Sequence, residues 1–264
     1  MEPSESRRSR SRGPAGRLAA AAGLALAAAF AVLAAPAAAA ADIPVPETIL
    51  VGAGEVYDGR GDRYYGTGDL GDGGQNEGQD PIFRLEAGAT LTNVVIGHPG
   101  ADGVHCYGSC TLRDVVWQDV GEDAATFRAN GSSATFTVQG GSAARADDKI
   151  FQHNGPGTLT VTNFSATDFG ALYRSCGNCG TQHQRHVVFD GVTLTAPGDR
   201  LAGINENYGD TATFRNITIN GDDERDITIC QRYIGNDEGD EPEESGEGPD
   251  GQHCRYSESD ITYR

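Results

Sequence analysis

Apolar and polar positions alternate in short bursts along this chain, and Gly, Asn and Asp separate the bursts. They are Leu91–Ile96, Thr111–Trp117, Thr135–Val138, Thr158–Phe164, His186–Phe189 with Val192–Leu194, Thr213–Ile219 and Asp226–Cys230. Period-two alternation is the pattern of a β-strand with one face buried. No stretch beyond the N-terminal region shows the periodicity of an amphipathic helix. Leu91, Leu112, Phe136, Leu159, Val188 and Phe214 occupy comparable places, separated by 21, 24, 23, 29 and 26 residues. A repeat of that length, built from strands with no helices between them, predicts a solenoid. An antiparallel sandwich would return a strand every 8–12 residues or so through tight hairpins. The longer period therefore points to an all-β, single-domain, right-handed parallel β-helix.

Local echoes carry the same message. Thr-Leu-Thr-Asn-Val (90–94), Thr-Leu-Arg-Asp-Val (111–115), Thr-Leu-Thr-Val-Thr-Asn-Phe (158–164) and Thr-Phe-Arg-Asn-Ile (213–217) look like successive rungs. Stacked rungs would bury Val, Ile, Leu and Phe and leave Asn and Thr to form ladders at the turns.

The first forty residues change the picture. Arg7, Arg8, Arg10, Arg12 and Arg17 precede an alanine-rich apolar stretch, Leu18 to Val32, and small residues end near Ala39-Ala40-Ala41. This is the pattern of a secretory signal peptide over residues 1–41, with the β-helix domain at 42–264. Arg7-Arg8 hints at twin-arginine export, but the residues that should follow the pair are missing. No second apolar span follows, so a secreted, extracellular and monomeric product is expected. Six cysteines, Cys106, Cys110, Cys176, Cys179, Cys230 and Cys254, suit disulfides in an exported protein. Their order suggests the local bridges 106–110, 176–179 and 230–254. The alternative for Cys176-Gly-Asn-Cys179, a redox or zinc half-site, lacks a second CxxC.

Charge narrows the partners. The chain holds 20 basic and 38 acidic residues, a net −18. Taking away the five arginines and two glutamates of residues 1–41 leaves 15 basic and 36 acidic residues, −21. Nucleic acid and anionic membrane are therefore excluded as partners. Much of the excess lies in the Glu/Asp/Gly/Pro segment at 235–250, which reads as a solvated acidic loop between Cys230 and Cys254.

Against nineteen arginines stands one lysine, Lys149. Arginine stays protonated at ordinary pH, whereas a lysine can serve as a base if burial or nearby cations lower its pKa. In a β-helix, residues one repeat apart become neighbours about 4.8 Å apart. Asp102 follows one rung, Asp119, Glu122 and Asp123 the next, Asp147, Asp148 and Lys149 the third, and the segment to Arg174 the fourth. Carboxylates, an amine and a guanidinium thus line up along one edge. Clustered carboxylates suit a hard cation such as Ca²⁺.

Several strings then resemble the small pectate lyases of polysaccharide lyase family three. They are Gly-Asp-Gly-Gly-Gln-Asn-Glu (71–77), Pro-Ile-Phe-Arg-Leu-Glu-Ala-Gly-Ala-Thr-Leu (81–91), Asn-Val-Val-Ile-Gly (93–97) and Ala-Asp-Gly-Val-His-Cys (101–106). Asp-Val-Gly-Glu-Asp-Ala (119–124), Asp-Lys-Ile-Phe-Gln-His-Asn (148–154), Leu-Tyr-Arg-Ser-Cys-Gly-Asn-Cys (172–179) and Ala-Gly-Ile-Asn-Glu-Asn-Tyr-Gly-Asp-Thr-Ala (202–212) join them. The resemblance implies a secreted, calcium-dependent β-helix that cleaves polygalacturonate by β-elimination. It implies Asp102, Asp119, Glu122 and Asp123 as calcium ligands, Lys149 as base, Arg174 as its partner, and Glu77 as an acidic residue near the cleft. Arg128 stands where the family usually has lysine and can still bind a substrate carboxylate. Ala171 replaces another lysine and cannot.

On this reading Arg174 and Ca²⁺ lower the Lys149 pKa, the amine takes the C5 proton, and water protonates the departing C4 oxygen. An amine base implies an alkaline optimum. A hydrolase using Asp147 and Asp148 as acid and base would leave Lys149 without a role. A uronan-binding module without turnover, or a purely structural solenoid, are the readings from other classes. His105 and His153 are expected to be structural, and Tyr65, Tyr107, Tyr173 and Tyr208 could line a sugar groove or pack an edge.

Overall fold

The computed structural model describes residues 39–264 except Glu77. Most of the signal peptide expected at 1–41, and the expected role of Glu77, therefore lie outside the described residues. The first strand begins at Asp42, immediately after the expected cleavage point. No helix among the described residues is long and apolar enough to cross a membrane.

The chain winds as a parallel β-helix. One eight-stranded sheet takes one strand from each coil, from Val56–Asp58 through Ala89–Thr92, Cys110–Arg113, Thr135–Gln139, Gly157–Thr162, Arg185–Asp190 and Thr211–Arg215 to Cys254–Arg255. A fifteen-stranded sheet wraps the other two faces, because the long strands Ser142–His153, Ser165–Ser175 and Thr193–Asn205 turn the corner between them.

Inside, like stacks on like. Leu91, Leu112, Val138, Val161, Phe189 and Phe214 pair rung to rung and are all buried. Phe83, Val104, Ala125, Phe151, Tyr173, Ala202 and Cys230 form a second column. Rings also pack across the interior from one face to another, with Phe127 and Phe136 4.9 Å apart and Phe151 and Phe164 5.1 Å apart. Each fully buried aromatic or branched side chain contributes about 1.5–3 kcal/mol through removal from water. The register expected from sequence is shifted in places. Phe136 and Leu159 do point inward but stand two residues before their column, and Val188 lies on the half-buried outer side.

The Asn and Asp of the rung strings have a specific task. Asn93, Asp114, Asn163 and Asn216 adopt φ of 51–53°, the left-handed region, and Gly140 and Gly191 occupy the same place in intervening coils. Those before Asn216 donate their backbone N–H to the next coil, as Asn93 does to Arg113 O at 3.0 Å and Asp114 to Gln139 O at 2.8 Å. Asn, Asp and Gly adopt this conformation more readily than other residues, so the turn repeats without the strain a β-branched residue would carry.

All three expected disulfides form, Cys106–Cys110, Cys176–Cys179 and Cys230–Cys254. The acidic segment corrects an expectation. Glu243–Glu247 is not a solvated loop but a strand, antiparallel to Thr228–Ile234. Its side chains are mostly exposed, so composition gives no sign of it. Backbone pairing, Gln231 Nε2 donating to Gly246 O at 3.0 Å and Arg232 bonded to Asp250 at 2.7 Å hold it in place.

Candidate active site

The turn before Val104–Cys106 and the start of Asp123–Phe127 bring Asp102, Glu122 and Asp123 together. Their carboxylate oxygens lie within 4.8 Å of one another, and all three residues are buried. Two glycines allow this approach. Gly103 has a φ of 47°, and a Cβ there would stand 2.2 Å from Ala124 O; one on Gly121 would stand 2.1 Å from Ala101 O. Glu122 N donates to Ala101 O at 3.0 Å and locks the two turns together.

Three carboxylates in a dry pocket cannot all ionise without a cation. Burial first, then Asp102, pushes Glu122 up to about 7. Burial raises Asp123 well above its ordinary value, although Lys149 pulls the other way. Asp123 Oδ1 is buried without a hydrogen bond, with Lys149 Nζ 3.8 Å away. Hard oxygen donors, an excess of negative charge and such an orphaned oxygen fit a divalent cation of the calcium type.

Asp119, the fourth expected ligand, is not brought into this group. It pairs with Arg145 at 3.1 Å and faces His98 at 3.9 Å, on a partly exposed surface. His105 is a buried neighbour of the cluster, its Nε2 2.6 Å from Asp102 Oδ2 and its Nδ1 3.3 Å from Arg128 Nη1. Burial first, then Arg128, lowers the imidazole to about 4. A neutral ring donating from Nε2 and accepting at Nδ1 satisfies both contacts, a tautomer assigned from this network. Arg128 itself is exposed.

Lys149 pairs rung to rung with Asp123. Its Nζ is bonded to Asp148 and lies 3.7 Å from Glu122 Oε1. The sequence expectation was that neighbouring cations lower its pKa. Burial does act in that direction, but Asp123, Asp148 and Glu122 outweigh it and hold the amine above its ordinary value. The register places the lysine opposite the carboxylates, and Arg174 stands one rung further on, against Gln152. Asp148, proposed as half of a hydrolase pair, is engaged with the amine.

Beyond Lys149 opens a cleft of about 490 Å³ lined by Asp148, Lys149, Ala171, Arg174, Arg200 and Tyr233, among others. Arg174 stacks on Tyr233, with Cζ 3.8 Å from the ring centre, and Nη1 donates to Asn205 Oδ1 at 3.4 Å. Asn205 Nδ2 in turn donates to Cys176 O at 2.9 Å, and its backbone N–H to Asp210 Oδ2 at 3.0 Å. The 202–212 string is thus a support for Arg174. Arg200 and Tyr233 were not anticipated from sequence.

His153 is fully buried and bonded to Tyr173 Oη at 2.9 Å, as expected of a structural histidine. Tyr173 is a core residue too, not a groove wall.

A pectate lyase family model matches residues 33–240. Pectate lyase H of Emericella nidulans is 49% identical over 208 residues, 78% of this chain and 76% of that protein. Probable pectate lyase D of Neosartorya fischeri is 45% identical over 79% of this chain and 83% of that protein. Among solved structures, the catalytic domain of pectate lyase PelI from Erwinia chrysanthemi superposes with a TM-score of 0.72 at 31% identity, covering 85% of this chain and all of that one. PelI in complex with tetragalacturonic acid gives a TM-score of 0.70 at 31% identity, over 84% of this chain and 70% of that one.

Proposed function

We propose, for a chain that belongs to the pectate lyase family and is a pectate lyase, a calcium-assisted β-elimination with Lys149 as the base. The polysaccharide is polygalacturonate and the product a 4,5-unsaturated oligogalacturonide. The single observation that carries this assignment is the seating of the chain's one lysine against the buried carboxylate trio, at the mouth of a cleft lined with arginine. Asp102, Glu122 and Asp123 would hold the calcium ion. Bound there, calcium supplies positive charge toward a uronate carboxylate and so favours loss of the neighbouring C5 proton. Asp123 and Glu122, two of the three carboxylates that retain the Lys149 proton, are among the groups that would hold the ion, so the amine's hold on its proton weakens as they are neutralised. Lys149 then accepts the C5 proton as the C4–O bond breaks, the electron pair of the C–H bond becoming the new double bond and water protonating the departing oxygen. Arg174, always protonated, faces the negative charge that develops on the uronate. Arg128, on the same face but nearer the trio, would meet a further carboxylate of the polymer.

The residue range 1–41 is proposed as a leader that directs the β-helix, residues 42–264, to the extracellular space. An ultraviolet assay for the conjugated alkene product tests the assignment. Wild-type protein with calcium should generate absorbance, chelator should abolish it, and Lys149→Ala should lose about 10²–10⁴-fold in kcat. Undiminished turnover in Lys149→Ala would remove the amine from the mechanism.

A further inference from the structure

The outward row of the face that carries Lys149 runs Asp123, Lys149, Ala171, Arg200 and Thr228, one residue per coil. Ala171 stands between the row's two cations, Lys149 and Arg200. Its side chain ends at a methyl group and contributes no charge, and the next residue in register is Arg200. Lys149 and Arg200 therefore stand two rungs apart, roughly 10 Å along the face. Arg200 lines the same cleft as Lys149 and Arg174.

Two features set Arg200 and Arg174 apart from the chain's other cleft-side cation. Lys149 has three carboxylates around it. Among the described residues neither arginine forms an ion pair with a carboxylate, in a chain of net charge −18. Instead one tyrosine fixes both. The Arg200 Nη1 donates to Tyr233 Oη, and the Tyr233 ring lies beneath the Arg174 guanidinium. Two guanidinium groups held side by side repel each other, and neither can lose its charge at ordinary pH. A carboxylate from outside relieves that repulsion and finds planar N–H donors arranged for it.

We infer that Arg200, held by Tyr233 beside Arg174, binds the carboxylate of a uronate unit other than the one that loses its proton, and supplies the charge that Ala171 lacks. This rests on the polygalacturonate lyase reading and deepens it. Arg200 is a substrate-binding residue here and Tyr233 a positioning residue. The interaction is made equally in the ground and transition states, so it acts on KM rather than kcat.

The test separates binding from turnover. Trigalacturonate affinity is measured by calorimetry, with calcium, for Lys149→Ala and for Lys149→Ala/Arg200→Ala. The inference expects affinity about ten-fold or more weaker in the double variant. In the active background, Arg200→Ala should raise KM by a similar factor while kcat stays within about three-fold. Adding Ala171→Lys to Arg200→Ala should recover affinity, since an amine one rung nearer restores the charge. Tyr233→Phe keeps the ring and removes the hydroxyl, and should cost less than Arg200→Ala. Unchanged affinity in the double variant overturns the inference. Absence of alkene product from the wild type would sink the lyase reading on its own, leaving the calorimetric result to judge the subsite.

Discussion

Lys149 and Glu122 exchange the same electrostatic resource. Without a cation, the amine is the counter-charge of the trio, and its proton is held by Asp123, Asp148 and Glu122. Arginine at this position would serve as counter-charge equally well but could not give up its proton. Lys149→Arg should therefore fold normally yet remain as inactive as Lys149→Ala in the alkene assay, and recovery of turnover above a few per cent would show that the amine is only a counter-ion. Glu122 gives the complementary prediction. Its pKa rises from an ordinary 4.5 to about 7, burial being the first cause and Asp102 the second. Folding without metal thus takes up a proton between those values. The stability tied to that proton is complete below pH 4.5 and is lost as pH rises through 7. Calcium needs the ionised form, so its stabilising effect runs the other way. Thermal scans with calcium against chelator should show a small rise in Tm at pH 5 and a larger one at pH 8. Equal rises at both would mean that the ion binds away from Glu122.

At the scale of elements, the repeat was legible because each coil must present an apolar residue to the same interior, which stamps a period on the chain. The register was less legible. Phe136 and Val138 both point inward, so either serves as a marker until backbone pairing chooses Val138 opposite Leu112. Lys149 could be singled out because no other lysine exists, whereas Arg200 is one arginine among nineteen. Register irregularities between Ala146 and Lys149, and again between Thr167 and Phe169, decide which residue faces Ala171. No spacing rule foresees those shifts. The acidic strand Glu243–Glu247 was hidden for a different reason: its order comes from the edge it covers rather than from burial of its own side chains. That dependence makes a prediction. Cys230–Cys254 closes a separation of 24 residues around this hairpin, so the double serine variant should lose about 3 kcal/mol through the freed unfolded chain. A urea midpoint shifted by less than a third of that would mean that the pairing onto Thr228–Ile234 holds the segment without covalent help.

Charge acts differently on the whole molecule than in the cleft. A net −18 surrounds a substrate that is itself a polyanion, so approach from a distance is opposed. Within the cleft, Arg174 and Arg200 stand among Asp147, Asp148, Asp199 and Glu241, so their attraction acts only at short range, and the trio becomes attractive once it holds a divalent cation. These two effects have different ranges, and salt separates them. The Debye length falls from about 30 Å at 0.01 M to about 10 Å at 0.1 M, which removes most of the distant repulsion. Contacts of hydrogen-bond length in a partly desolvated cleft are screened much less. With calcium saturating throughout, KM for polygalacturonate should therefore fall as ionic strength rises over this interval, and kcat should stay nearly constant. An enzyme steered by its own positive field would show KM rising from the lowest salt. Observation of that opposite slope would mean that the arginine-lined cleft, rather than the acidic surface around it, sets the field that an approaching chain encounters.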